Sequence, residues 1–312
     1  MLRHLAWMPD LLQRARRSGQ RLCGVVLSWR QGPSYRPVGS WMVVDEDGYW
    51  QGGITAGCLE PWIAQQAVEA LKHARPGVLQ LDTREGGEHG LALGCGGLLE
   101  LCLFPLMPEH DYQPLSWLDP VLSQPLDLYL AIRGNCPQAS LQPPPPAMDG
   151  VVRRIHYRPA PRILLLGSSA DLPPVARLLL RQGWQVEAAD LVPLRGQARV
   201  AHRVLDPRTL QQAMVQGNAD AILVMSHDLA RDRLFLETID PDRPPRWLGL
   251  IGAASRCHEL LRDCGLDPDA SWIHAPAGLP IGAHDPEAIA VSVVAQLLRD
   301  FPDDPVPNQP SP

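Results

Sequence analysis

The stretch Ile163–Leu164–Leu165–Leu166–Gly167–Ser168–Ser169–Ala170–Asp171–Leu172–Pro173 runs from apolar residues through a glycine into a helix signal over Pro174–Gln182. A short, continuously apolar strand is buried on both faces, as in a parallel sheet covered by helices. The pattern then repeats. Strand signals at Trp184–Ala189, around Val204, at Ala221–Met225 and at Trp247–Ile251 alternate with helix signals at Pro207–Gln216, Ala230–Thr238, Ser255–Cys264 and Pro286–Leu298. With right-handed crossovers, this alternation predicts a Rossmann-like, doubly wound α/β domain over residues 151–300. Ligands of such domains bind at the carboxyl ends of the strands, here the loops after Leu166, Ala189, Met225 and Ile251.

Toward the N-terminus, four consecutive prolines, Pro143–Pro146, cannot sit inside a helix or a central strand. With Asn135–Cys136–Pro137 before them and Asp149–Gly150 after, they predict a linker over 136–150. The remaining residues, 1–135, read as a mixed α+β domain. Leu5, Met8, Leu11, Leu12 and Ala15 form the stripe of an amphipathic helix. Leu22–Trp29 is rich in β formers, and Trp41–Val44 and Tyr49–Gln51 flank the hairpin turn Asp47–Gly48. A helix over Pro61–Ala74 and strands at Val78–Leu81, Leu98–Phe104 and Asp127–Ile132 follow, while Leu106–Gln124 has no readable period. Residues 301–312 read as a disordered tail.

The chain has 312 residues and a net charge of -6, from 28 Lys+Arg against 34 Asp+Glu. A mildly acidic surface repels phosphate backbones, which speaks against nucleic acid as the main partner. No apolar run is long enough to span a bilayer. Met1–Gln20 lacks the apolar core and small-residue cleavage site of a secretory leader, and its Arg14, Arg16 and Arg17, which a transit peptide would also carry, fall on the amphipathic helix stripe that is the plainer reading. Seven cysteines, none in a CxxC pair, suit a reducing compartment and predict a cytoplasmic protein.

Two glycine-rich segments carry thiols. In Gly52–Gly53–Ile54–Thr55–Ala56–Gly57–Cys58–Leu59–Glu60–Pro61, Gly53 and Gly57 let backbone amides approach a ligand, and Cys58 stands ahead of a helix whose positive end favours thiolates. A thiolate there can bind a soft metal or carry sulfur; a small residue in a tight turn is the plainer alternative. Gly94–Cys95–Gly96–Gly97 offers a second thiol. The loop Gly32–Pro33–Ser34–Tyr35–Arg36–Pro37–Val38–Gly39 presents Arg36, whose planar fork fits phosphate or carboxylate. Cys23 and Cys102 sit in apolar runs and read as core; Cys257 and Cys264 lie seven apart on one helix and read as core or surface filling.

In the C-terminal half, a dinucleotide loop requires G-x-G-x-x-G, and only Gly167 is present. Ser169 takes the second glycine position, and Asp171 adds a negative charge. Asp190 ends the second strand, where a ribose hydroxyl binds in such folds. His227 beside Asp228 suits proton transfer or ligand binding, against a helix cap by Ser226 or Asp228. Gly252–Ala253–Ala254–Ser255–Arg256 opens a helix in an anion-binding arrangement, and His274–Ala283 forms a turn-rich loop.

Taken together and in order, these motifs resemble the XdhC/CoxI family, accessory proteins of xanthine dehydrogenase and related molybdenum hydroxylases. The resemblance covers about Arg21 to Leu298 and rests on Gly32–Gly39 with Trp41–Val44, Gly52–Glu60, Leu93–Gly97, Ser226–Asp228, Gly252–Arg256 and His274–Gly282. It implies a chaperone that binds the molybdenum cofactor or its cytosine dinucleotide form. It further implies help with sulfuration together with a cysteine desulfurase, delivery to an apo-molybdoenzyme of the xanthine dehydrogenase/aldehyde oxidase type, and homodimers. Cys58 matches the family's cofactor-linked cysteine and is the expected molybdenum contact. Cys95, Arg36, Gly53, Gly57, Glu60, Gly96, Gly167, Asp190, His227 and Arg256 complete the expected binding set. The chain departs from the family at Gly167–Ser168–Ser169–Ala170, where members usually carry Gly-Ala-Gly-His, which sets NAD(P) binding in question. Two rival functions stay open: an NAD(P)-dependent oxidoreductase using Asp190 and His227, and a cofactor-free scaffold that docks the client enzyme and a desulfurase.

Overall fold

The computed structural model describes residues 5–84, 96–122, 124–145, 148–194, 202–206, 208, 210 and 219–302. The chain forms two compact units, one running to Pro159 and one from Ala160 to Pro302.

In the first unit, α1 (Met8–Ser18) precedes β1 (Leu22–Gln31), β2 (Trp41–Asp45), β3 (Trp50–Gly52), α2 (Glu60–Lys72), β4 (Gly77–Asp82) and β5 (Leu98–Leu106). The five strands form an antiparallel sheet in the order β3-β2-β1-β5-β4. Period-2 alternation sends successive residues to opposite faces. Val25, Leu27, Met42, Val44, Leu101 and Leu103 pack against Ile63, Ala64, Ala67 and Leu71 of α2. The opposite face, with Val26, Trp41, Val43 and Phe104, joins Met8, Leu12 and Ala15 of α1.

A second antiparallel sheet, β6 (Leu126–Arg133), β7 (Cys136–Ser140) and β8 (Val151–Tyr157), has the order β7-β6-β8. The proline-rich stretch is therefore not the boundary that its composition predicts. Cys136–Ser140 is a strand of the first unit, β8 returns to the same sheet, and the change of unit falls at Pro159–Ala160. Pro137 is tolerated because β7 is an edge strand, where a missing N–H removes no ladder bond from the interior. At a bulge in β1, the Ser28 hydroxyl lies 2.9 Å from both the backbone oxygen and the carboxylate of Glu100 and shares its one proton between them. Arg153 of β8 pairs with that carboxylate through two bonds of 3.0 and 3.2 Å and lies over the Trp29 ring. The segment without a readable period contains two 3-10 turns, Pro108–His110 and Leu115–Leu122.

The second unit is the α/β fold expected. Strands β9 (Arg162–Leu166), β10 (Gln185–Asp190), β11 (His202–Val204), β12 (Ala221–Val224), β13 (Trp247–Leu250) and β14 (Ile273–His274) are parallel, in the order β11-β10-β9-β12-β13-β14. Helices α3 (Leu172–Arg181), α4 (Leu229–Leu236), α5 (Ala254–Asp263) and α6 (Pro286–Asp300) accompany them. The strand order reverses between β9 and β12, the topological switch point of a Rossmann sheet. Most of the helix predicted over Pro207–Gln216 lies outside the described residues, as does the tail from 303 onward. Among the described residues no helix is long and apolar enough to cross a membrane.

Candidate functional site

Register brings the three N-terminal motifs to one place. Trp41 begins β2 beside β1, Met42 pairs with Gly52 at the end of β3, and Leu98 at the start of β5 pairs with both Gln31 and Asp82. The loops 32–40 and 53–59, and the described ends of the third stretch at 83–84 and 96–97, therefore lie at the same end of the five-stranded sheet. Two of them touch. A Cβ on Gly97 would lie 2.3 Å from the Pro33 oxygen, and one on Gly32 would lie 3.4 Å from the Gly96 oxygen. Thr83 pins Gly97 from the other side, its amide and hydroxyl donating to the Gly97 oxygen at 2.9 and 2.8 Å. Cys95, next to Gly96, lies outside the described residues.

Cys58 is an exposed free thiol in the turn before α2. Gly52 and Gly57 shape that turn with φ of 83° and 106°. At Gly52 a side chain would also strike the Trp41 oxygen at 2.3 Å. The turn is built around Glu60. Its carboxylate accepts from the amides of Ile54 and Thr55 at 3.1 and 2.6 Å and from the Thr55 hydroxyl. Burial alone would raise the Glu60 pKa; hydrogen bonds from Thr55 and from the amides of Glu60 and Ile54 outweigh it and hold the carboxyl below its ordinary range. Glu60, expected to meet a ligand, is 3% exposed and organises the turn from within. Thr55, which the sequence alone does not single out, is the residue beside the thiol: Cys58 Sγ lies 3.6 Å from its Oγ1.

Arg36 is exposed, its guanidinium 5.3 Å from the Tyr35 ring centre, and it has no carboxylate partner among the described residues. The loop is braced by Ser34, whose hydroxyl donates to the Arg36 oxygen at 2.5 Å and accepts from Arg30 at 3.1 Å. The core cysteines differ from Cys58 in kind. Burial pushes the Cys23 and Cys102 thiols up to about 12. Cys257 is buried as expected, Cys264 is partly covered, and Cys136 is exposed on β7.

In the second unit, the expected ligand residues Asp190, His227 and Arg256 are each engaged by another residue of the same unit. Asp190 is fully buried; one oxygen accepts from the Leu191 amide at 2.7 Å and the other binds Arg231 at 2.6 Å. Arg256 pairs at 3.2 Å with Asp232, which also holds Ser226 at 2.5 Å. His227 has a left-handed backbone, φ 58°, and its Nε2 meets Asp171 at 2.6 Å. Asp228 caps α4 by accepting from Ala230 and Arg231, so the cap accounts for the motif's aspartate. Gly167 packs on the next loop, and a Cβ there would lie 2.7 Å from Met225 and Ser226 backbone atoms. His274 is stacked on Trp247 with ring centres 5.0 Å apart and accepts from Gln296 at 3.2 Å, a structural position.

A glycine-shaped turn presenting a thiol, followed by a Rossmann sheet, defines a two-unit protein with a candidate site outside the nucleotide fold. Residues 15–82 match the XdhC and CoxI family and residues 163–297 match the XdhC Rossmann domain. The chain belongs to the XdhC/CoxI family. It is 27% identical over 288 residues to the molybdenum cofactor insertion chaperone PaoD of Escherichia coli, covering 90% of this chain and 83% of that protein. It is 26% identical over 304 residues to a protein of Bacillus subtilis described as a probable xanthine dehydrogenase subunit, covering 86% of this chain and 90% of that one. The fold is that of a crystal structure described as a xanthine dehydrogenase from Bacillus halodurans, with a TM-score of 0.78 at 20% identity over 97% of this chain and 98% of that one.

Proposed function

We propose that this chain is a cytoplasmic chaperone that takes up the molybdenum cofactor and passes it to a xanthine dehydrogenase/aldehyde oxidase-type apo-enzyme. The observation that carries the reading is the meeting, at one sheet end, of the loops 32–40 and 53–59 with Gly96 and Gly97, the exposed thiol of Cys58 being on the second loop. The name of the Escherichia coli relative points the same way. The cofactor is the cargo, an anionic pterin phosphate around a soft metal centre. Cys58 supplies a soft ligand to molybdenum. Arg36, unpaired among the described residues, and the amides around Gly53, Gly57 and Gly96 suit the phosphate. Cys95 assists, and a cytosine dinucleotide extension is accommodated by the same loops. Glu60 and Thr55 hold the Cys58 turn in shape. Sulfuration with a cysteine desulfurase and assembly as a homodimer belong to the same proposal.

The test is transfer. Protein loaded anaerobically with the cofactor is mixed with cofactor-free molybdoenzyme of this class, and oxidation of xanthine or an aldehyde is followed. Activity rising with the amount of loaded protein, above that from free cofactor alone, is the expected result; no gain over free cofactor contradicts delivery.

A further inference from the structure

A Rossmann sheet implies a dinucleotide, and the residues at this switch point do not fit one. In such folds the pyrophosphate rests on free N–H groups at the start of the helix that follows the first strand, here α3. That helix has none to offer at its first turn. The Leu172 amide donates to the Ser169 oxygen at 3.3 Å, Pro173 and Pro174 have no N–H, and the Val175 amide already donates to the Asp171 oxygen at 3.3 Å. The residue at the helix N-cap is moreover an acid, whose side chain makes no cap bond and turns to the neighbouring loop. Asp171 is 6% exposed and bound to His227 at 2.6 Å. This bond spans the switch point, because Asp171 follows β9 and His227 follows β12, the two strands between which the order reverses. On the ribose side, both oxygens of Asp190 are taken by Leu191 and Arg231. Three separate features of a dinucleotide site are thus occupied or removed by the protein itself.

We infer that this Rossmann unit is closed to dinucleotides from within, and that Asp171 is the residue that decides it. Its carboxylate repels a pyrophosphate and, with His227, latches the β9 and β12 loops together; the two prolines remove the donors an anion needs. The unit then serves the protein without NAD(P). This holds whether or not the N-terminal unit carries the molybdenum cofactor, since it concerns other residues and another ligand.

The test titrates NADH and NADPH into three full-length chains by calorimetry: wild type, Asp171→Asn, and Asp171→Asn with Pro173→Ala and Pro174→Ala. Asp171→Asn keeps a hydrogen-bonding group toward His227 and removes only the charge. Wild type is expected to bind no tighter than about 1 mM, in titrations carried to about 10 mM so that a weak Kd is still read. The charge change alone should tighten binding roughly threefold, and restoring the amides as well roughly tenfold or more. Micromolar binding by wild type overturns the inference. So does the absence of any gain in the altered chains once thermal melting shows them folded; if the triple change does not fold, the Asp171→Asn chain decides by itself.

Discussion

Glu60 receives the hydroxyl proton of Thr55, and this bond decides what Thr55 can offer Cys58. A hydroxyl has one proton. With it committed to the carboxylate, Thr55 Oγ1 is left as an acceptor, 3.6 Å from the Cys58 sulfur and 3.4 Å from the Leu59 amide. The position of the exposed thiol is thus set by a buried acid two residues away.

Glu60→Ala leaves buried donors of Ile54 and Thr55 without a partner, at about 1–3 kcal/mol each. The expected outcome is a loss of about 3 kcal/mol in urea unfolding of the first unit, together with weaker cofactor binding. The pH dependence has a fixed sign. Because the folded pKa lies below the ordinary 4.5, the stabilisation is complete above 4.5 and is lost as pH falls through the lower, folded value. Glu60→Gln should flatten acid unfolding in that window; an unchanged acid limb contradicts the assignment.

Gly97→Ala tests the contact between the two motif loops. A Cβ at 2.3 Å from the Pro33 oxygen meets backbone rather than a flexible side chain. Forcing the loops apart should cost about 1–3 kcal/mol and lower cofactor affinity. Gly96→Ala is the comparison, since a Cβ there meets nothing within 4 Å, although its φ of 60° disfavours a side chain. If Gly97→Ala binds the cofactor as wild type does, the contact between loops is not part of the site.

In the second unit, His274 predicts an acid sensitivity. Gln296 is oriented by the Gly278 amide, which donates to its Oε1 at 2.6 Å, so its NH2 points at His274 Nδ1 and needs a lone pair there. Burial holds the His274 pKa below the ordinary 6.5, against an opposing effect of Asp300. A lowered folded pKa means stability is complete above 6.5 and falls as pH drops through the folded value. His274→Gln should make the melting temperature of this unit less dependent on pH between about 7 and 5. A wild-type melting temperature that does not fall over that range contradicts it.

The sheet of the second unit is legible in the sequence because buried parallel strands are written as continuous apolar runs, as in Ile163–Leu166 and Ala221–Met225. The thiol of Cys58 and the burial of Cys23 and Cys102 are legible for similar local reasons. The boundary is not, because a proline such as Pro137 looks alike in sequence whether it joins domains or sits on an edge strand. Nor are the partnerships of Asp190 with Arg231, 41 residues away, or of Asp171 with His227, 56 residues away. Acidic residues at strand ends look like ligands until the fold supplies their partners. Glu60 belongs to the expected turn but faces its interior, since sequence spacing does not say which side of a glycine loop is solvent.

The proposed place of the cofactor is Cys58. The direct measurement is anaerobic ultrafiltration of wild type and Cys58→Ala with the molybdenum cofactor, quantifying bound molybdenum and pterin. Near-stoichiometric binding by wild type and a sharp fall in the variant are expected. Equal binding by both proteins would contradict the role of Cys58, and binding by neither would contradict the carrier itself.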